Sequence, residues 1–118
     1  IICISSISGN YISKSSIEYT VSKSALNSYV KKKSKLIDKK FTINCIAPGN
    51  ILFKGGNWHK KLQKNKRRVK KQIYENVPLK RFGKTTEIAN LVTYICSDKS
   101  DFLNGSIISI DGGQDLSL

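Results

Sequence analysis

A tyrosine and a lysine four residues apart, in the run Tyr19-Thr20-Val21-Ser22-Lys23, follow closely on a serine cluster, Ser5-Ser6-Ile7-Ser8. Residues i and i+4 of a helix share a face, so the phenol and the ammonium are expected to point into one site. That pairing has a chemical use. A free tyrosine phenol titrates near ~10 and stays protonated at neutral pH. An ammonium about 4 Å away, at an effective dielectric of ~20, favours the phenolate by roughly 4 kcal/mol, enough to make the phenol a working general acid or base. On the pentapeptide alone, a core aromatic beside a surface charge accounts for the same two residues.

The neighbouring stretches must position this pair. Ile1-Ile2-Cys3-Ile4 is a short apolar run bounded by serines, the pattern of a strand covered on both faces in a parallel sheet. Ligands bind outside the carboxyl ends of such strands, where Ser5 and Ser6 emerge. Successive side chains alternate faces, so only one of the two serines can meet a ligand; the other reading of either is a turn or cap hydroxyl. Residues 10–17 are polar and turn-rich and bring the chain round to Tyr19. From about Tyr19 to Ile37 the apolar residues Ala25, Leu26, Tyr29, Val30, Leu36 and Ile37 recur at helical spacing, with Lys31, Lys32, Lys33 and Lys35 on the remainder. Phe41 to Ala47 reads as the next strand, which makes a strand-helix-strand unit with a right-handed crossover. Pro48-Gly49 ends it; proline lacks a backbone donor and glycine permits close approach, so this turn suits contact with a flat ring. Trp58, Leu62, Val69 and Ile73 give 54–75 a weak amphipathic pattern. In the last helix Thr85 or Thr86 is the expected cap, Glu87 suits the positive end, and Ile88, Leu91, Val92 and Ile95 form an apolar stripe. Ser106 to Ile110 is then a strand ended by Asp111-Gly112-Gly113.

Composition narrows the classes. At 118 residues the chain is one domain's worth. The formal charge of +13, from 21 Lys+Arg against 8 Asp+Glu, invites a nucleic-acid reading. Against it, the basic residues sit on helix-like stretches, as solvated faces would. The densest segment, 54–75, holds 9 of the 21 and offers only Trp58 and Tyr74, at its ends, for stacking on bases. Cys3, Cys45 and Cys96 stand singly in apolar runs and read as reduced core residues of a cytosolic protein. His59, the only histidine, has no second ligand in sight, so no metal site is expected. No apolar run nears ~18 residues and nothing resembles a signal peptide, so neither a membrane nor secretion is expected. Gly55-Gly56 and Gly112-Gly113 are turn pairs, and no G-x-G-x-x-G is present.

Ser6 lies thirteen residues before Tyr19, and with the Tyr-x-x-x-Lys pair it makes the chain resemble the short-chain dehydrogenase/reductase family. Three further motifs carry the resemblance: Asn44-Cys45-Ile46-Ala47-Pro48-Gly49, Val77-Pro78-Leu79-Lys80-Arg81-Phe82-Gly83 and Ile110-Asp111-Gly112-Gly113. It implies a Rossmann-type α/β fold with three parallel strands, of which residues 1–118 are the carboxyl-terminal half of a single domain. The Gly-rich phosphate loop, the residue reading the adenosine ribose and a catalytic asparagine belong to the other half. It implies NAD or NADP as cofactor and hydride transfer to a carbonyl or from an alcohol, with 3-oxoacyl thioesters and sugars or polyols as the nearest substrate classes. Ser6, Tyr19 and Lys23 take the catalytic roles: Tyr19 donates the proton, Ser6 hydrogen-bonds the carbonyl oxygen, and Lys23 aids Tyr19 and holds the nicotinamide ribose. Pro48, Gly49 and Ile51 would lie at the nicotinamide. A threonine is usual where this chain has Phe53.

Residues 54–75 correspond to the substrate lid, for which Gly55-Gly56 offers a hinge, Trp58 a residue closing on substrate, and the lysines attraction for an anionic one. The last strand and the helix before it make a subunit interface in the family, which implies a homo-oligomer, dimer or tetramer. The segment alone is expected to be inactive and unstable. The rival readings are an inactive remnant lacking its cofactor half and a basic nucleic-acid-binding module.

Overall fold

The computed structural model describes residues 1–11 and 15–115. Strand β1 (Ile2–Ile4) leads into a 3-10 turn (Ile7–Gly9) and the long helix α1 (Ile17–Lys33). Then come β2 (Asn44–Pro48), β3 (Ile51–Leu52), α2 (Asn57–Lys64), α3 (Lys66–Asn76), β4 (Gly83–Lys84), α4 (Thr85–Ile95), a 3-10 turn (Asp98–Ser100) and β5 (Ile107–Ile110). The main sheet has the order β1-β2-β5, all parallel, with Cys3 opposite Cys45 and Ile46 opposite Ile108. The three expected strands are therefore present in one parallel sheet.

Local chemistry explains most of the boundaries. The Ser16 hydroxyl accepts from the Tyr19 N–H at 3.3 Å and starts α1, with Glu18 in its first turn and Lys31, Lys32 and Lys33 in its last, each sign matched to the helix dipole. Asn44, fully buried, donates to the Leu103 carbonyl at 2.7 Å and accepts from the Ser106 N–H at 3.0 Å, tying the start of β5 to β2. One core cluster is Val30, Ile43 and Cys45, with Cys3, Ile37 and Ile107 packed against it. Burial pushes the Cys45 thiol up from its ordinary pKa.

Several expectations need correction. The second strand starts later than the apolar run, because Asp38 turns the chain: its carbonyl accepts from the Phe41 N–H and its carboxylate from the Lys40 N–H, both at 2.9 Å. Phe41 is left exposed. On α1 the buried side chains are Asn27 and Val30; of the expected apolar positions Ala25 and Tyr29 face outward and Leu26 is half-buried, while Leu36, exposed, and Ile37, half-buried, lie beyond the end of the helix. Cys96 is exposed, so just Cys45 is a core cysteine and Cys3 is half-buried. Residues 54–75 form two helices, broken at Asn65, whose side chain accepts from the Arg68 N–H at 2.9 Å and caps α3. At α4 no threonine caps the helix; Glu87 accepts from the Lys84 N–H at 2.7 Å and from both terminal nitrogens of Arg81, at 2.9 and 2.6 Å. The Arg81 guanidinium, helped by that backbone N–H, holds the Glu87 carboxyl at about 2. The stripe Ile88, Leu91, Val92 and Ile95 does lie on the inner side of α4. A second, two-stranded parallel sheet, β3-β4, pairs Ile51 with Gly83 and Leu52 with Lys84. Strands of two residues carry no readable period.

Candidate active site

Because β1, β2 and β5 are parallel, their carboxyl ends emerge together, at Ser5-Ser6, Gly49-Asn50 and Asp111-Gly112. The two serines divide as strand alternation requires. Ser5 is buried and donates to the Lys23 carbonyl at 3.3 Å, fastening α1. Ser6 lines a cleft of about 820 Å³, together with Tyr19, Gly49 and Trp58. The Ser6 Oγ accepts from the Ser8 N–H at 3.2 Å. A hydroxyl has one proton to give and two lone pairs, so that bond leaves the Ser6 proton for the cleft.

Lys23 stands beside Tyr19 on the same face of α1, its Nζ 5.7 Å from the phenol ring centroid. It donates to the Ile4 carbonyl at 3.0 Å, at the end of β1. An ammonium carries three donors, and this bond uses one of them. Tyr19 is roughly half exposed and opens onto the cleft.

Position along α1 is set by contacts the sequence did not advertise. Gly9 faces α1 so closely that a Cβ there would come 2.8 Å from the backbone carbon of Lys23. Ser24 donates to the Gly9 carbonyl at 3.0 Å, and Asn27 donates to the Asn10 side chain at 2.8 Å. These contacts place Lys23 and Tyr19 against the serine turn; the only signal for Gly9 was a glycine closing the serine cluster.

The Pro48-Gly49 turn behaves partly as expected. Gly49 lines the cleft, but the close approach it permits is to Asp111, since a Cβ at Gly49 would lie 2.6 Å from the Asp111 Cβ. Its N–H donates to the Ile110 carbonyl at 3.1 Å, so the turn is braced on β5. Pro48 ends β2. Ile51 sits on β3 and lines a separate small cavity of about 90 Å³ with Arg81, Glu87 and Asp111, not the cleft. The Phe53 ring lies against Gly56, where a Cβ would come 2.7 Å from it. Of the expected glycine hinge, Gly55 has φ +81° with open space around it, and Gly56 is a buried packing position.

Helices α2 and α3 cover the cleft with Asn57, Trp58, Lys61, Gln72 and Asn76. Trp58 contacts the Phe82 ring at a centroid distance of 5.5 Å, and the Lys61 ammonium lies 4.6 Å from the Trp58 centroid. Of the basic residues in 54–75, only Lys61 lines this cleft; Lys66, Lys70 and Lys71 face the other side of the helices. His59 accepts from the Gly55 N–H through Nδ1 at 3.4 Å. Among the described residues there is no group of three or more acidic, histidine or cysteine side chains able to hold a metal.

A second tyrosine, Tyr11, also lines the cleft. Burial pushes its pKa up, against a lowering hydrogen bond from Gln114, and the charges of Asp115 and Asp111 push the same way as burial. The two phenols have opposite electrostatic neighbours: an ammonium beside Tyr19, carboxylates near Tyr11.

The model of the family described as enoyl-(acyl carrier protein) reductase matches residues 1–115. The chain belongs to the short-chain dehydrogenase/reductase family. It is 33% identical over 115 residues to the 3-oxoacyl-[acyl-carrier-protein] reductase FabG of Staphylococcus epidermidis, covering 97% of this chain and 45% of that one. Dehydrogenase/reductase SDR family member 4 of Rattus norvegicus is 31% identical, over 96% of this chain and 39% of its own length. Among solved structures, L-sorbose reductase from Gluconobacter frateurii, complexed with NADPH and L-sorbose, superposes with a TM-score of 0.90 and 31% identity, over 100% of this chain and 48% of that one. A 4-hydroxyisoleucine dehydrogenase complexed with NADH gives 0.86 and 29%, over 97% and 46%. The chain thus spans less than half the length of these relatives, and its α/β parallel-sheet fold is theirs. No helix of the described residues is long and apolar enough to cross a membrane.

Proposed function

We propose that this chain carries the proton-transfer machinery of an NAD(P)-dependent oxidoreductase that interconverts a carbonyl and an alcohol. The reading rests on one observation: Ser6 and Tyr19 line one cleft, at the carboxyl ends of three parallel strands, with the Lys23 ammonium 5.7 Å from the Tyr19 ring. The nicotinamide, when bound, supplies or accepts the hydride. Ser6 donates a hydrogen bond to the substrate carbonyl oxygen and orients it. Tyr19 delivers a proton to the same oxygen in reduction and removes it in oxidation. Lys23, fixed by the Ile4 carbonyl, favours the tyrosinate and offers its two remaining hydrogens to the ribose hydroxyls. The Pro48-Gly49 turn and the Ile51 backbone flank the nicotinamide, and Trp58 covers the substrate.

Residues 1–118 are, in this reading, the carboxyl-terminal half of one Rossmann-type domain. The other half pairs with the open edge of β1, where Ile4 is exposed, and brings the phosphate-binding loop. The substrate is a 3-oxoacyl thioester or a sugar-like polyol, in keeping with the named relatives. A homo-oligomer forms through α4 and β5, where Tyr94 is exposed, and the compartment is the cytoplasm.

Label transfer tests the proposal. The full-length protein is incubated with nicotinamide cofactor deuterated at C4 and a panel of 3-oxoacyl thioesters and ketoses, and the products are analysed by mass spectrometry. Deuterium on the new carbinol carbon is expected. Cofactor binding with no transfer to any carbonyl would refute the reading.

A further inference from the structure

The outer side of the lid helices carries a second concavity that the reaction above does not use. Its volume is about 820 Å³, within the range of small-molecule sites. Leu52, Leu62, Ile73 and Phe82 give it an apolar floor, and Lys66, Lys70, Lys71, Lys80 and Arg81 surround that floor. Three of these cations are already engaged. Lys71 pairs with Glu75 at 3.6 Å, Lys80 donates to the Tyr74 carbonyl at 2.7 Å, and Arg81 is held by Glu87. Lys66 and Lys70 have no ion-pair partner among the described residues. They stand four apart on α3, where two like charges on one face repel.

An apolar floor rimmed by two unmatched ammonium groups fits a ligand with a hydrocarbon part and an anionic head. A bare anion would leave the floor wet, and a neutral hydrocarbon would leave the ammonium pair unmatched. The groove also touches the reactive cleft through one ring. Phe82 forms part of the groove and contacts Trp58, which lines the reactive cleft. We propose that this outer groove binds a single-chain amphiphile with an anionic head, and that its occupancy reaches the reactive cleft through the contact between Phe82 and Trp58. The binding claim does not depend on the oxidoreductase reading, since none of the catalytic side chains takes part.

The test uses the full-length protein and dodecyl phosphate below its micellar concentration. Binding is followed by calorimetry, and the emission of Trp58 by difference from a Trp58→Phe variant. Saturable binding with a change in Trp58 emission is expected, with no saturable response to inorganic phosphate or to dodecyltrimethylammonium. Lys66→Glu/Lys70→Glu should raise Kd by about ten-fold or more, because it replaces attraction for the head by repulsion. Should that double variant not fold, Lys66→Gln/Lys70→Gln, which only removes exposed charges, should still weaken binding several-fold. Phe82→Leu should retain binding and lose most of the Trp58 response. Equal binding of phosphate or of the cationic amphiphile would overturn the proposal, as would unchanged affinity in a folded lysine variant. Binding confined to anionic vesicles or to duplex DNA would overturn it too, making the face a membrane or nucleic-acid contact.

Discussion

Two phenols line the cleft beside Ser6, and their neighbours separate them. Tyr19 has the Lys23 ammonium beside its ring, whereas Tyr11 is pushed toward its neutral form by burial and by Asp115 and Asp111. Tyr11→Phe is therefore expected to keep kcat within a few-fold of wild type, and a large loss would move the proton-transfer role to Tyr11. Ser6→Ala should lower kcat by about 10²-fold, as removal of a donor to a developing oxyanion does, with a smaller effect on cofactor affinity. Near-normal kcat in that variant would leave Ser6 a turn cap only. The nearness of Ser6, Tyr19 and Lys23 was legible because their spacing is local. Tyr11, Asn57, Gln72, Asn76 and Gln114 were not, since they reach the cleft from segments far apart in the chain and carry no common pattern.

Elements place those residues, and the most sensitive joint is the contact between the serine turn and α1. A Cβ at Gly9 would stand 2.8 and 2.9 Å from the Lys23 carbonyl carbon and oxygen, which are backbone atoms and cannot swing aside. Gly9→Ala is thus predicted to lower stability by about 1–3 kcal/mol, the range for overpacking, and to lower kcat by displacing Tyr19 and Lys23. An unchanged melt with full activity would show that α1 is not held there. The start of α4 gives a pH prediction. The Glu87 carboxyl is held at about 2 instead of the ordinary 4.5, so its stabilising contacts are fully present above 4.5 and are lost as pH falls through about 2. The pair lies at the surface, so the check is local: the Glu87 side-chain carbon should titrate near 2 by NMR, and a midpoint near 4.5 would contradict the Arg81 contact. The apolar stripe of α4 was readable because each of its members points inward. On α1 the stripe was only partly right: Val30 is buried in the core, but the other buried side chain is Asn27, an amide satisfied by the Asn10 side chain, which no apolar pattern reveals. The cap of α4 also escaped the sequence, because Glu87 took the role by accepting from the Lys84 N–H, three residues earlier.

At the scale of the whole molecule the chain is more extended than a compact domain. Its radius of gyration is 15.3 Å, against about 13.5 Å for a globular domain of this length. Ile4, Ile17, Val21, Leu36 and Phe102 are exposed on its surface. Both features agree with the share of each relative that the chain covers, under half. The 118 residues alone are expected to bind an apolar dye and melt broadly, and joining them to the amino-terminal half should sharpen and raise the transition. A cooperative melt without that half, with tight NADH binding, would contradict the half-domain reading. The parallel order of the sheet was legible from the apolar runs, while the β3-β4 pair was not, because it depends on Asn50 receiving the Gly83 N–H at 3.0 Å, a contact 33 residues apart in sequence.

The central claim is that Tyr19 moves the proton and Lys23 serves both Tyr19 and the cofactor. The most direct measurement compares kcat and cofactor Kd for wild type, Tyr19→Phe and Lys23→Ala in the full-length enzyme. General acid-base catalysis contributes about 10²–10⁴-fold, so Tyr19→Phe should lose that much in kcat while its cofactor Kd stays within a few-fold, and Lys23→Ala should weaken both. A Tyr19→Phe enzyme that retains most of its turnover would contradict the account.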